Sequence, residues 1–359
     1  MTALDVAGLR LELGAFVLGE LSLNLPDDEI MVVLGPNGAG KSVLLETIAG
    51  FHRAVRGRIA VRGRDVTALS PEKRHIGFVV QNFGLFPHLT VAQNIALAAS
   101  LRRDGAERRS RVDVSELLRR FGIAHLADSG PVVLSPGEKQ RAALARAEAS
   151  HPDLFLLDEP FSALDAQARD GLRFELARFL RDMRAPAIFV THDRVDVAAL
   201  GTRVALMREG RIIQCGAVDD VFRRPTSRTA AEILGIENRL PGRVEAADGR
   251  YALVRVGDAV LRAASAVGRA IADEVCVAIR AEDIRLTPSA NAPAIADENR
   301  LAGAVVALQP LGPLTRVVLD CGIRLVACLM TRDVAPLGLA AGAPATAIFS
   351  VSDTCAVEP

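Results

Sequence analysis

The sequence predicts a layered α/β domain with a helical insert, followed by an all-β C-terminal region of small barrel-like lobes. Three observations carry that prediction. From residue 3 to about 235, short apolar runs of strand length alternate with longer helix-forming stretches. Residues 91–122 and 136–150 lack clustered breakers and are rich in Ala, Leu, Glu and Arg, so a helical insert is expected over about 91–150. After about residue 240, short strands such as YALVRV, EVCVAIR and TRVVLD, separated by Gly, Pro and Asp, take over. The expected division is 1–235 and 236–359, the second part in two lobes at about 240–290 and 299–355 joined by NAPAIADEN, residues 291–299. Small barrels are favoured over a flat sheet because closure removes the exposed edges of such short strands.

Composition narrows the class. At 359 residues, half of them apolar, the chain can bury a large interior but is long for one core. Its 43 basic and 43 acidic residues cancel, which argues against a nucleic-acid partner. No apolar run approaches the roughly 18 residues needed to cross a bilayer, and no basic start leads into a signal segment. The expectation is a cytosolic chain that docks on a membrane component. Five scattered cysteines without metal-site spacing read as reduced, structural thiols.

Four apolar runs, MVVL, LFLL, AIFV and VALM, read as buried strands, and the chemistry sits at their ends. After MVVL comes GPNGAGKS: Gly35, Pro36, Asn37, Gly38, Ala39, Gly40, Lys41 and Ser42, running into the helix-like VLLETIAG. Small residues there let backbone N–H groups point at phosphate oxygens, with the positive end of the following helix behind them. Lys41 is expected on the β and γ phosphates and the Ser42 hydroxyl on Mg²⁺. LFLLDEP ends in adjacent acids: Asp158 is suited to hold Mg²⁺, directly or through water, and Glu159 to polarise an attacking water. In LSPGEKQRAALARA, Ser135 and Gly137 precede a helix and can present a hydroxyl and N–H groups to an anion. The chain already has one phosphate loop, so this second anion site points to a phosphate held by a partner subunit.

GPNGAGKS, QNFGLFPHLT, LSPGEKQRAALARA, LFLLDEPFSALD and FVTHD stand in the order and spacing of the ATP-binding subunits of ABC transporters, which the chain resembles over residues 3 to about 235. The resemblance implies a head-to-tail homodimer that sandwiches two ATP molecules with Mg²⁺. Ser135, Gly137 and the adjoining Glu138 of one chain would face the nucleotide of the other. Two positions depart from the family pattern: Pro136 replaces a second glycine, and Glu138 stands where glutamine is common. The family assigns Gln81 to sensing Mg²⁺ and water, and the loop around it, with Phe83, Leu85, Phe86 and Pro87, to contact with a membrane subunit. His192 in FVTHD ends a strand, where its imidazole can reach the γ phosphate and hold Glu159. Asp165 in SALD fits the loop that communicates across the dimer. The adenine-stacking position is open between Phe16, which offers a ring, and Leu13, which is nearer the expected place.

The C-terminal part bears on cargo. AIRAEDIRL, residues 278–286, resembles the regulatory β domain of ATPases that serve sulfate, iron, polyamine, sugar or molybdate importers. The stretch from Asn299 to Val351 resembles a small β module that binds molybdate or tungstate, with Ser350 where related modules often carry lysine. The expected function is ATP-driven import of an oxyanion, molybdate or tungstate, with ferric iron, sulfate or polyamine as alternatives. A non-transport ATPase of the same type would carry a coiled coil or second cassette in place of the β tail, and a module that only binds nucleotide would not need Glu159 and His192. The implied partners are a second copy, two membrane-spanning permease subunits and, indirectly, an external solute-binding protein. The implied location is peripheral, on the cytoplasmic face of the inner membrane.

Overall fold

The computed structural model describes residues 2–100, 112–162, 164, 166–247, 250–264, 270–288 and 297–359. Asp165 and positions 291–296 of the expected connector lie outside them. The chain divides into two compact units, Met1–Val218 and Asp219–Pro359, ahead of residue 235 where the texture of the sequence changes.

The first unit holds two sheets. β1 (Thr2–Leu13) and β2 (Phe16–Pro26) pair antiparallel, and with β4 (Arg56–Val61) and β5 (Arg64–Asp65) form a four-stranded sheet in the order β2-β1-β4-β5. The second sheet contains β3 (Ile30–Leu34), β6 (Ile76–Val79), β7 (Leu154–Asp158), β8 (Ala187–Thr191), β9 (Arg203–Arg208) and β10 (Arg211–Ala217), in the order β10-β9-β3-β8-β7-β6. All neighbours in it are parallel except the β9–β10 hairpin. Every residue of β3, β7 and β8 is buried, as the unbroken apolar runs require of strands covered on both faces. Leu4, Leu9, Leu18 and Leu25 of the first sheet share one core with Met31, Val33, Ile188 and Val190 of the second and Leu44, Leu45 and Ile48 of α1 (Lys41–Ala49).

Between β6 and β7 lie α2 (Val91–Ser100), α3 (Val114–Arg120) and α4 (Pro136–Ala149), where the helical insert was expected. After β7 come α5 (Ala166–Met183) and, following β8, α6 (Arg194–Leu200).

The second unit opens with the end of α7 (Val218–Arg223) and α8 (Arg228–Ile233). β11 (Asn238–Ala247), β12 (Tyr251–Val256), β13 (Ala259–Ala264) and β14 (Glu274–Ile279) close into a barrel only with the help of β20 (Cys355–Val357), from the far end of the chain. Reciprocally, β15 (Arg285–Thr287), which follows β14, leaves the barrel to pair with β19 (Pro344–Ser350) in a five-stranded sheet with β16 (Glu298–Leu311), β17 (Leu314–Asp320) and β18 (Arg324–Met330); the short α9 (Thr331–Val334) follows β18. The expected all-β region of two lobes is present, with the two built differently. One lobe is a closed barrel, the other a sheet among the described residues, and each borrows a strand from the other's tail.

A sequence repeat explains the exchange. Glu-Asn-Arg-Leu-x-Gly occurs at Glu237–Gly242 and again at Glu298–Gly303. Both asparagines are buried and each ties its own lobe to the other. The Asn238 amide donates to the Ile279 and Val326 carbonyls and accepts from Val326 N–H at 2.7 Å. The Asn299 amide accepts from Arg262 N–H at 2.8 Å and donates to the Arg262 carbonyl at 2.7 Å. An asparagine side chain that satisfies backbone groups in this way stands in for a missing ladder bond. Val254, Leu261 and Ile279 of one lobe and Val317, Leu319 and Phe349 of the other fill a single core.

Candidate functional site

The loop from Gly35 to Ser42 leaves the end of β3 with no room for side chains at two points. A Cβ on Gly35 would lie 2.2 Å from the Met207 carbonyl oxygen, and one on Gly40, which has φ +97°, would lie 2.4 Å from Cζ of Phe16. Phe16 is therefore packed on the loop itself, across a strand pair from Leu13. α1 begins at Lys41 and stops at Gly50, whose left-handed backbone donates to the Glu46 and Thr47 carbonyls.

Lys41 is 5 % exposed, and its ammonium donates to the carbonyls of Gly35 and Pro36 at 2.9 and 3.0 Å while standing 3.8 Å from Glu159 Oε1. Burial lowers its pKa, partly offset by Glu159 and Asp158. The Ser42 hydroxyl donates to Asp158 Oδ1 at 2.9 Å, which joins the loop to the end of β7. Asp158 is pushed above the usual carboxylate range by burial, against the Ser42 bond and with the help of Glu159 and Glu46. Carboxylates outnumber cations here, and the hydroxyl and Asp158 are hard oxygen donors. That donor set fits Mg²⁺ completed by phosphate oxygens and water.

Glu159 turns out of the strand with φ +40°, a left-handed conformation that non-glycine residues adopt at a cost of about 1–3 kcal/mol. The turn is held by Glu159 N–H to Val190 O and by Ser162, whose N–H and hydroxyl both donate to the Glu159 carbonyl. It points the carboxylate away from β7, 3.3 Å from Nδ1 of His192. Beneath His192 lies a network that the sequence reading missed. Arg173, buried on α5, donates to Asp196 at 2.7 Å and to Asp193 at 3.2 Å, and Thr191 donates to Asp196 at 2.6 Å. Burial raises Asp196, while the Thr191 and Arg173 bonds pull it back.

Gln81 follows β6, is exposed, and lies 3.4 Å from the Ser162 hydroxyl. A cavity of about 840 Å³ brings together Ser42, Gln81, Asp158, Ser162, Glu46 and Lys139. Of the expected docking residues, Phe83 is buried and Phe86 exposed. The loop is shaped by fully buried Asn94, which bonds the N–H and carbonyl of Phe86 and the carbonyls of Leu89 and Thr90, and by Arg146, whose guanidinium lies over the Phe86 ring.

At the start of α4, Ser135 is the N-cap and Pro136 occupies the first turn, where a missing N–H costs nothing. Glu138, expected to face the nucleotide of a second copy, accepts within its own chain from the Ser135 N–H at 2.8 Å and its hydroxyl at 2.7 Å. This is a capping box, and those bonds hold the Glu138 carboxyl below its ordinary range. Gly137 leaves Leu172 Cδ1 3.1 Å from where a Cβ would be.

A phosphate loop joined to a strand-end Asp-Glu pair, with His192 on the Glu and a capped signature helix alongside, matches a known pattern. Residues 18–162 match the sequence pattern of the ABC transporter family. The molybdate/tungstate import ATP-binding protein WtpC of Pyrococcus horikoshii is 38 % identical over 350 residues, which is 97 % of this chain and 98 % of that protein. The chain belongs to the ABC transporter family. It is an ATP-hydrolysing subunit of that family. The sulfate/thiosulfate import ATP-binding protein CysA of Salmonella typhi is 41 % identical over 246 residues, 67 % of this chain and 68 % of that one. Among solved structures, a dimeric post-hydrolysis state of the ATP-binding cassette MJ0796 bound to ADP and Pi is similar with a TM-score of 0.52 and 27 % identity, over 60 % of this chain and 98 % of that one.

Two substitutions test this geometry. Asp196→Ala removes the most buried of the three carboxylates on Arg173, the others being Asp170 and Asp193, and is expected to cost about 1–3 kcal/mol, read as a lower urea midpoint; an unchanged midpoint would remove the network from the account. Glu138→Gln keeps a capping-box acceptor but deletes a charge beside any incoming phosphate. ATP-dependent dimerisation, measured by light scattering, should strengthen several-fold while the melting temperature stays put.

Proposed function

We propose that this chain is the ATPase subunit of an importer for a tetrahedral oxyanion, molybdate or tungstate, and works as a homodimer on two membrane-spanning subunits. The observation that carries the cargo is the extent of similarity: the molybdate/tungstate relative aligns over 97 % of the chain, so the likeness runs through the β unit. Sulfate is the second reading, supported by slightly higher identity over a shorter alignment of 67 %. The β unit is better read as regulatory than as an anion sensor at Ser350. That hydroxyl is tied to Ser352, at 2.8 Å to its hydroxyl and 3.1 Å to its N–H, and a serine supplies no charge to an oxyanion.

In this reading Lys41 leaves the Gly35 and Pro36 carbonyls for the phosphates, and Phe16 offers its ring to the adenine beside the loop. Mg²⁺, when bound, neutralises phosphate charge and orients the γ phosphate. Ser42 and Asp158 would hold it, with Gln81 beside them in the same cavity. Glu159, placed by its turn and by His192, accepts a proton from the attacking water. Ser135 and Gly137 close over the nucleotide of the second copy. Phe86, with Phe51, Val55, Val132 and Val133 exposed on the same unit, supplies apolar surface for the membrane subunits. No helix among the described residues is long and apolar enough to cross a bilayer, which is consistent with a peripheral position at the cytoplasmic face.

Glu159→Gln should keep ATP binding and slow turnover by at least about 100-fold; a normal rate in the complete transporter would refute the assignment of Glu159. With the reconstituted complex, molybdate or tungstate delivered by the solute-binding protein should stimulate ATP hydrolysis and enter vesicles. Stimulation by sulfate, ferric ion or a polyamine with no response to molybdate or tungstate would replace the cargo and leave the ATPase reading intact.

A further inference from the structure

Glu46 is a residue that the phosphate-loop pattern does not require. It lies on α1 one turn beyond Ser42, so the two side chains share a face of the helix. It lines the same cavity as Ser42, Gln81 and Asp158. It is also close enough to Asp158 to help raise that carboxyl. A long acidic side chain is free to swing into solvent, but this one is held. Nε2 of His52, just past the Gly50 cap, lies 2.8 Å from Glu46 Oε2. No group of three or more His, Cys, Asp or Glu among the described residues is arranged to hold a metal ion. Glu46 borders the same cavity as Ser42 and Asp158, one helical turn from Ser42, with its carboxylate tied back to His52.

We propose that Glu46, oriented by His52, is a positioning residue for the nucleotide-bound Mg²⁺ and would act on the ion through its water shell. This rests on the reading that Ser42 and Asp158 hold that ion. Its physical basis is charge and order. A carboxylate one layer out strengthens the donor water and fixes its direction, and such outer partners typically govern about 10–100-fold in metal affinity. A surface ion pair with His52 alone would do little for the helix end and would leave the metal untouched.

The test titrates Mn²⁺ into the purified full-length chain with a non-hydrolysable ATP analogue, following the free-ion signal by electron paramagnetic resonance. Glu46→Gln, isosteric and partly exposed, should weaken Mn²⁺ binding by roughly 10-fold. Nucleotide affinity in chelator and the melting temperature should stay unchanged. His52→Gln, which frees Glu46 without removing it, should give a smaller loss in the same direction. Ser42→Ala is the control for the underlying reading. If Ser42→Ala weakens Mn²⁺ binding and Glu46→Gln leaves it within about twofold of wild type, the role of Glu46 is overturned and the metal site stands. If neither variant changes Mn²⁺ affinity, both fall together.

Discussion

An ammonium sealed into the protein beside two carboxylates is the constraint on which the rest of the first unit depends. Lys41 is almost wholly buried, Glu159 is 3.8 Å away, and Asp158 is linked to the next residue of the loop through the Ser42 hydroxyl. With the ammonium and Asp158 both buried, each of these charges is tolerable largely because the others are there. The group is still not balanced: Lys41 spends two of its bonds on carbonyls of its own loop, and burial raises Asp158. Phosphates and a divalent ion would supply what the site lacks, the first for the ammonium and the loop N–H groups, the second for the carboxylates. The three strands that end here run parallel and are buried from end to end, so their tips cannot drift apart to relieve the imbalance.

Much of this was legible because it is local. A loop of small residues after MVVL, and two acids after LFLL, declare themselves in a few consecutive letters. The Arg173–Asp196–Thr191 network was not legible, since its members come from α5, α6 and the end of β8 and each looks like an ordinary helix or strand-end residue. Glu138 also has a role that is local to its own chain, since Ser-x-x-Glu before a helix is a capping signal in its own right and the Ser135–Glu138 box is present. Phe83 was read as exposed with its neighbours, and it is buried because the loop folds around Asn94. In the second unit, residues that look like two successive lobes exchange strands. The Glu-Asn-Arg-Leu-x-Gly repeat was the available signal, because a buried asparagine at the start of each copy needs a partner strand to satisfy it.

The helix α4 joins the two surfaces of the first unit that have to communicate. Its first residues carry the Ser135–Glu138 box, and Arg146, three residues from its end, lies over the Phe86 ring and donates to the carbonyls of Phe83 and Gly84. A helix of 14 residues spans about 21 Å and does not compress. A push on the loop that displaces Phe86 must therefore either break the Arg146 contacts, which burial makes costly, or move the helix start with it. The same loop begins at Gln81, which faces Ser162 and through it the turn that aims Glu159. One short segment thus touches both the start of α4, by way of a rigid rod, and the turn of Glu159, by way of two hydrogen bonds. Under the proposed function, docking on Phe86 would bias dimer closure and catalysis together without either site changing its own residues.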